Sequence, residues 1–218
     1  MTDYTAARLN MVEGQVKPNR VTDGALLNAM ANVPRELFVP AASRGIAYVD
    51  EDISIGGGRY LLEPMVFARL VQEARVGKED VVLDIGCGTG YSTAVLARLA
   101  NTVVALESDA DFADRAGDLL SDLHVDNAVI VQGGLPAGHA AQGPYPVILI
   151  NGAVAEVPQA LFDQLADGGR LVTVLAGKGR VGRAVLYRRI GEIVSRRELF
   201  DASTPILPGF EPVPAFEF

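Results

Sequence analysis

The sequence predicts a doubly wound α/β fold whose mostly parallel sheet ends in an antiparallel C-terminal strand, preceded by an N-terminal helical extension. Three observations predict it. From Asp80 onward short β-branched runs alternate with helical patterns, a glycine-rich loop joins the first run to a helix, and the last two runs are separated only by Gly191-Glu192. Alternating strand and helix signals are those of a parallel sheet covered on both faces. A two-residue connection suits an antiparallel hairpin better than a crossover.

The strand candidates are Val81 to Ile85, Thr102 to Leu106, Asn127 to Val131, Val147 to Asn151 and Arg170 to Leu175, near-continuous Val/Ile/Leu runs suited to burial on both faces. Helices are predicted over Tyr91 to Ala100, Ala110 to Leu123 and Val157 to Ala166, the last closed by Gly168-Gly169. Ala184 to Ile190 and Ile193 to Leu199 form the terminal hairpin. In the extension, Ala25 to Val33 carries Leu26, Leu27, Met30 and Val33 on one face and stops at Pro34. A second helix starts with Pro64 at its favoured first position. Between them Ile55 to Glu63 reads as a loop, because the consecutive Gly56, Gly57 and Gly58 permit positive φ or a close backbone approach. The chain divides into this extension, residues 1–79, and a ligand-binding domain, residues 80–218, packed as one unit.

At 218 residues the chain is long enough for one core that buries roughly 70% of the unfolded surface. No apolar run approaches the ~20 residues of a membrane span, so no membrane partner is expected. The opening residues carry neither a basic stretch nor an apolar signal core, which reads as cytoplasmic. A net charge of −8 repels phosphate backbones and argues against a nucleic-acid substrate. Cys87 is the only cysteine and His124 and His139 the only histidines, so neither a disulfide nor a metal site is expected.

The loop Gly86-Cys87-Gly88-Thr89-Gly90-Tyr91 follows the strand ending Asp84-Ile85 and lies where open α/β sheets bind ligands, at the carboxyl ends of the strands. The second strand runs to Glu107, 17 residues beyond Gly90, followed by Ser108. A carboxylate there can accept hydrogen bonds from both hydroxyls of a ribose, which makes a nucleoside site. The dinucleotide fingerprint requires Gly or Ala where Tyr91 stands. Asp84 also puts negative charge where a pyrophosphate would sit, while the amino group of a methionine moiety would be attracted to it. S-adenosyl-L-methionine is therefore the expected cofactor, and the fold is the Rossmann-like class I methyltransferase type. Cys87 has no basic neighbour in sequence and reads as a small loop filler.

The chain resembles the protein-L-isoaspartate O-methyltransferases over most of its length. The resemblance rests on Asp23-Gly24-Ala25-Leu26-Leu27-Asn28-Ala29-Met30, on Val33-Pro34-Arg35-Glu36-Leu37-Phe38-Val39-Pro40, on Ala47-Tyr48-Val49-Asp50, on the loop from Val82 to Tyr91, and on Leu165 with Gly168 to Val172. It implies methyl transfer to the side-chain carboxylate of isoaspartyl residues, a protein-repair reaction on damaged proteins or peptides. It also implies that Gly58-Arg59-Tyr60-Leu61-Leu62-Glu63-Pro64 is the substrate loop, where the family usually has Gly-Gln-Thr-Ile-Ser-Gln-Pro. The family's serine is thus Leu62. Its Gly-Asp-Gly after the third strand is Gly133-Gly134-Leu135, without the acid near the adenine amino group. Around the fourth strand Tyr145-Pro146 and Gly152-Ala153 replace the usual Phe-Asp and Ala-Ala.

A carboxylate with a pKa near 4 is ionised at neutral pH and can attack a sulfonium methyl group without a general base. What remains is to align the reacting atoms and exclude water. Without a serine, Arg59 and Tyr60 are the candidate donors to an acceptor carboxylate, alongside Leu62. They read equally as a solvated charge and a packing residue, and Glu63 beside them repels an anion unless it pairs with Arg59. A basic cluster, Lys178, Arg180, Arg183, Arg188, Arg189, Arg196 and Arg197, reads as the solvated face of edge strands. Three further functions compete: a family member with a different methyl acceptor, a silent S-adenosylmethionine-binding module, favoured by Leu62 and Gly134, and a nicotinamide-dependent oxidoreductase, disfavoured by Tyr91.

Overall fold

Asp3 caps the first helix by accepting a hydrogen bond from the Ala6 amide at 3.0 Å, the usual way of satisfying orphan donors at a helix start. The computed structural model describes residues 3–177 and 181–212. In it α1 (Tyr4–Met11) runs through a π-helical turn at Val12–Val16 to α2 (Gly24–Asn32), capped by Asp23. The glycine segment is not an open loop. It forms a small antiparallel hairpin of β1 (Ile53–Gly56) and β2 (Arg59–Leu61), with Gly56, Gly57 and Gly58 all at positive φ, and such turns need that backbone. Alternation explains the strands: Ile53, Ile55, Arg59 and Leu61 are buried, whereas Ser54 and Tyr60 are exposed.

α3 (Pro64–Ala74) leads into the main sheet, whose elements are β3 (Val81–Ile85), α4 (Tyr91–Ala97), β4 (Thr102–Glu107), α5 (Ala110–Asp122), β5 (Ala128–Gln132), β6 (Tyr145–Val154), α6 (Gln159–Asp163), β7 (Leu165–Leu175), β8 (Arg183–Ile190) and β9 (Ile193–Asp201). The strand order is β5-β4-β3-β6-β7-β8-β9, parallel up to β7 and antiparallel from β7 to β9. Successive residues of β3 serve opposite cores: Val82 packs with the extension, α3 and α4, while Leu83 and Ile85 pack with Leu161 of α6 and with Leu207 and Phe210 beyond β9. One core thus runs through the extension and the sheet.

The predicted helix over 157–166 is the main local correction. α6 covers only Gln159–Asp163, after Pro158, and Leu165 already pairs with Tyr145. The Tyr145 amide donates to the Gln164 carbonyl at 2.8 Å and draws the chain into the sheet, so Gly168-Gly169 lie at a register shift in β7 rather than at a helix end. Sheet pairing overrides the helical pattern here. α4 also stops early, at Ala97, where the chain turns toward Asn101.

Much of the basic face is spent on neighbouring acids. Arg183 pairs with Asp201, Arg196 with Glu198 at 3.6 Å and Arg197 with Glu73 at 2.5 Å. Lys178 and Arg180 lie outside the described residues. Among the described residues no helix is long and apolar enough to cross a membrane.

Candidate functional site

β3 and β4 deliver the chemistry to the carboxyl edge of the sheet. The chain leaves β3 through Gly86, Gly88 and Gly90 at φ of 74°, 55° and 93°, a path that L side chains rarely follow. Gly90 is the residue from which α4 springs, and a Cβ on it would stand 3.2 Å from Ala116 Cβ. Amides from this loop face β4: Gly86 N donates to Leu106 O at 2.8 Å, and Gly88 N donates to Glu107 Oε2 at 2.8 Å.

Asp84 is fully buried beneath the loop and accepts from Thr93 Oγ1 at 2.6 Å, from Ser92 Oγ at 2.8 Å and from the Asn151 side-chain amide. Burial raises its pKa to about 6 against the opposing effect of these donors. Asn151 and the two α4 hydroxyls carry no sequence signal of their own; only the fold brings them to Asp84. Cys87 is buried at the same edge, and burial pushes its thiol well above the ordinary range.

Glu107 has no exposed surface, and each oxygen is already engaged. Oε1 accepts from the Ser108 amide at 2.8 Å and the Asp109 amide at 3.1 Å, while Oε2 accepts from Gly88 N and from the Arg59 guanidinium. Arg59 therefore pairs with Glu107, not with Glu63. It is 3% exposed and its Nη1 has no partner. The hairpin thus lies over the glycine loop, with Ile55 Cδ1 2.7 Å from where a Gly88 Cβ would be.

Tyr60, 38% exposed, and Leu62, buried, both line a small cavity beside Gly86 and Cys87. The Leu62 carbonyl accepts from Arg35 Nη2 at 2.8 Å, and Arg35 also donates through Nε to Ala47 O at 2.7 Å and lies 4.9 Å over the Tyr91 ring. Arg35 had no assigned role in the sequence. From the Val33-to-Pro40 run it clamps the extension at Ala47, the segment after the hairpin at Leu62 and the start of α4 at Tyr91. Glu63 is half-buried, and burial together with Asp50, Asp52 and Glu51 raises its pKa to about 7. Gly133 extends the β4–β5 pairing by donating to Glu107 O at 2.9 Å; Gly134 precedes a short turn opened by the buried Leu135.

A strap beyond β9 completes the site. It runs beside the end of β6, with Ala153 N donating to Pro205 O at 3.0 Å and Leu207 N to Ala153 O at 2.8 Å. Leu207 covers the loop glycine: a Cβ on Gly86 would lie 2.8 Å from Leu207 Cδ2. Exposing a side chain of this size costs about 1.5–3 kcal/mol. What is left between the glycine loop and the hairpin is a cavity of about 20 Å3 lined by residues including Tyr60, Leu62, Gly86, Cys87 and Asn151. Sites for nucleoside-sized ligands run to ~300–1,000 Å3. A larger hollow of about 670 Å3, between Ala140, Gln164 and Gly191, includes no residue of the glycine loop.

The residue set nevertheless fits a nucleoside: glycines at positive φ at the carboxyl edge of the sheet and an acid at the end of β4. The family model described as protein-L-isoaspartate(D-aspartate) O-methyltransferase matches residues 8–198. A protein-L-isoaspartate O-methyltransferase of Methanoculleus marisnigri is 37% identical over 186 residues, 85% of this chain and 84% of its own. One of Koribacter versatilis is 38% identical over 193 residues, 88% and 87% of the two chains. Among solved structures, a protein-L-isoaspartate O-methyltransferase superposes with a TM-score of 0.80 at 25% identity, over 93% of this chain and 67% of the other. A Plasmodium falciparum protein described as a putative member, in complex with S-adenosyl-L-homocysteine, gives 0.78 at 19% identity over 93% and 98%, a likeness of fold.

Proposed function

Because the chain belongs to the protein-L-isoaspartate(D-aspartate) O-methyltransferase family, we propose that it methylates a carboxylate of damaged proteins or peptides, isoaspartyl residues above all, in the cytoplasm. The observation that carries this reading is the union of the family match with an intact strand, glycine loop, helix and terminal acid. S-adenosyl-L-methionine, when bound, supplies an electrophilic methyl group. The chain supplies the rest. We assign Glu107 to the ribose hydroxyls, Asp84 to the amino-acid end, and Ser108, Gly133, Gly134 and Leu135 to the adenine end. Backbone of Gly86, Cys87, Gly88, Gly90 and Tyr91 forms the floor.

On the acceptor side we assign Tyr60 and Arg59 as donors and Leu62 as an apolar wall. An isoaspartyl carboxylate needs no base, so these residues orient it and shed water. Arg59 can serve the acceptor only after leaving Glu107. A second reading, cofactor binding without turnover, is favoured by one observation: Leu62 offers no hydroxyl where the family usually has serine. Incubation with methyl-labelled S-adenosyl-L-methionine and an isoaspartyl peptide tests the first reading by the base-labile methyl esters formed. Esters on the peptide support it, whereas cofactor binding with no labelled peptide supports the second.

A further inference from the structure

The acid at the end of β4 and the glycines of the loop are covered by the chain's own side chains. Arg59 holds Glu107 in a pair that is 4% and 0% exposed. Leu207 lies on Gly86 and also on Gly152, where a Cβ would be 2.9 Å from Leu207 Cβ. Ile55 lies on Gly88. These three side chains come from two segments that touch one another, since a Cβ on Gly58 would be 3.7 Å from Pro208 Cγ. The strap then continues to Gly209, 3.4 Å by the same measure from Pro136, beside the Leu135 turn. It therefore crosses the sheet edge from the end of β6 to the turn after β5.

We propose that Arg59 and Leu207 are an internal occupant of the cofactor cradle, so that nucleoside binding is a displacement in which hairpin and strap withdraw together. This rests on the cofactor reading above and deepens it: Arg59 becomes an affinity-determining residue that competes with the ribose for Glu107. The apparent affinity of a ligand for a protein that is mostly closed falls in proportion to the open fraction. Removing either occupant raises that fraction. The two act on different segments, so an unfolded variant of one leaves the other to decide.

Cys87 gives a readout that needs no cofactor. It is buried against the same small cavity, and no second thiol competes for a reagent. Arg59 lowers the Cys87 pKa, so removing Arg59 without opening the site would slow thiolate chemistry. Faster labelling in Arg59→Gln consequently reports access.

The experiment titrates S-adenosyl-L-homocysteine by calorimetry into the wild-type chain, Arg59→Gln and Leu207→Ala, and follows Cys87 labelling by a thiol reagent in each without ligand. The expected result is a dissociation constant tightened about tenfold or more in both variants, with labelling accelerated to a similar degree. Accelerated labelling with no binding in any of the three chains supports the internal occupant and overturns the cofactor reading. Equal affinity and equal labelling in all three overturns the proposal while leaving that reading in place.

Discussion

Arg59, from the second strand of the hairpin, and Glu107, from the end of β4, form an ion pair 48 residues apart in sequence and all but sealed from solvent. Desolvating both charges is costly, and only the pairing and the amides around Glu107 offset it. Glu107→Ala leaves Arg59 buried without its partner. We expect it to lower the unfolding free energy by about 3 kcal/mol or more in denaturant melts. In calorimetry it should also weaken S-adenosyl-L-homocysteine at least tenfold, because a charged acceptor of two hydroxyls is lost. Unchanged affinity would remove Glu107 from the ribose assignment.

Asp84 supplies a pH dependence of binding. Its pKa is raised to about 6 from 3.8, so its negative charge is present above pH 6 and lost as the pH falls through that value. If Asp84 faces the cofactor's amino group, S-adenosyl-L-homocysteine affinity should drop below about pH 6 in the wild type and be flat there in Asp84→Asn. A wild-type profile without that drop would place the amino group elsewhere.

Glu63 gives a stability signature. Its folded pKa of about 7 exceeds the ordinary 4.5, so the folded chain retains a proton that the unfolded chain releases. Stability therefore falls as pH rises from about 4.5 to 7, and the penalty is complete above that window. Glu63→Gln should flatten this stretch of the stability curve. A slope that survives the substitution would assign it to another carboxyl.

Gly90→Ala tests the loop's backbone. The residue sits at φ 93° with Ala116 Cβ close by, so a methyl group meets both dihedral strain and a neighbour. A loss of about 1–3 kcal/mol is expected in thermal or chemical unfolding. A loss within a few tenths of a kcal/mol would mean that the loop relaxes into another path.

The parallel sheet was legible because each buried strand is a run of apolar residues; β3 is Val81–Ile85 in both sequence and structure. The terminal hairpin was legible through Gly191-Glu192, a turn with room for nothing else. α6 was not, since the pairing of Leu165 with Tyr145 is a tertiary contact that no helical period encodes. At the site, Gly86 to Tyr91 and Glu107 were visible because glycine spacing and strand length are local. Arg59 was visible as a candidate but not in its partner, because a salt bridge across 48 residues has no sequence period. Leu207, an apolar residue on a chain segment without regular structure, had no signal, and Arg35 was marked only by the Val33-to-Pro40 run, its burial being visible only in the assembled core.

Turnover of an isoaspartyl peptide measures methyl transfer to an isoaspartyl carboxylate through a loop that carries Leu62 where the family usually has serine. The comparison is between the wild-type chain and the rebuilt loop Arg59→Gln, Tyr60→Thr, Leu62→Ser, made together because neighbours in one loop do not act additively. Recovery of one orienting hydrogen bond to a charge is worth about 1.5–3 kcal/mol, or roughly tenfold or more in rate. Slow methyl transfer by the wild type is expected, with an increase of about tenfold or more in the rebuilt loop. Equal rates in the two chains, or no transfer by either, would contradict this expectation.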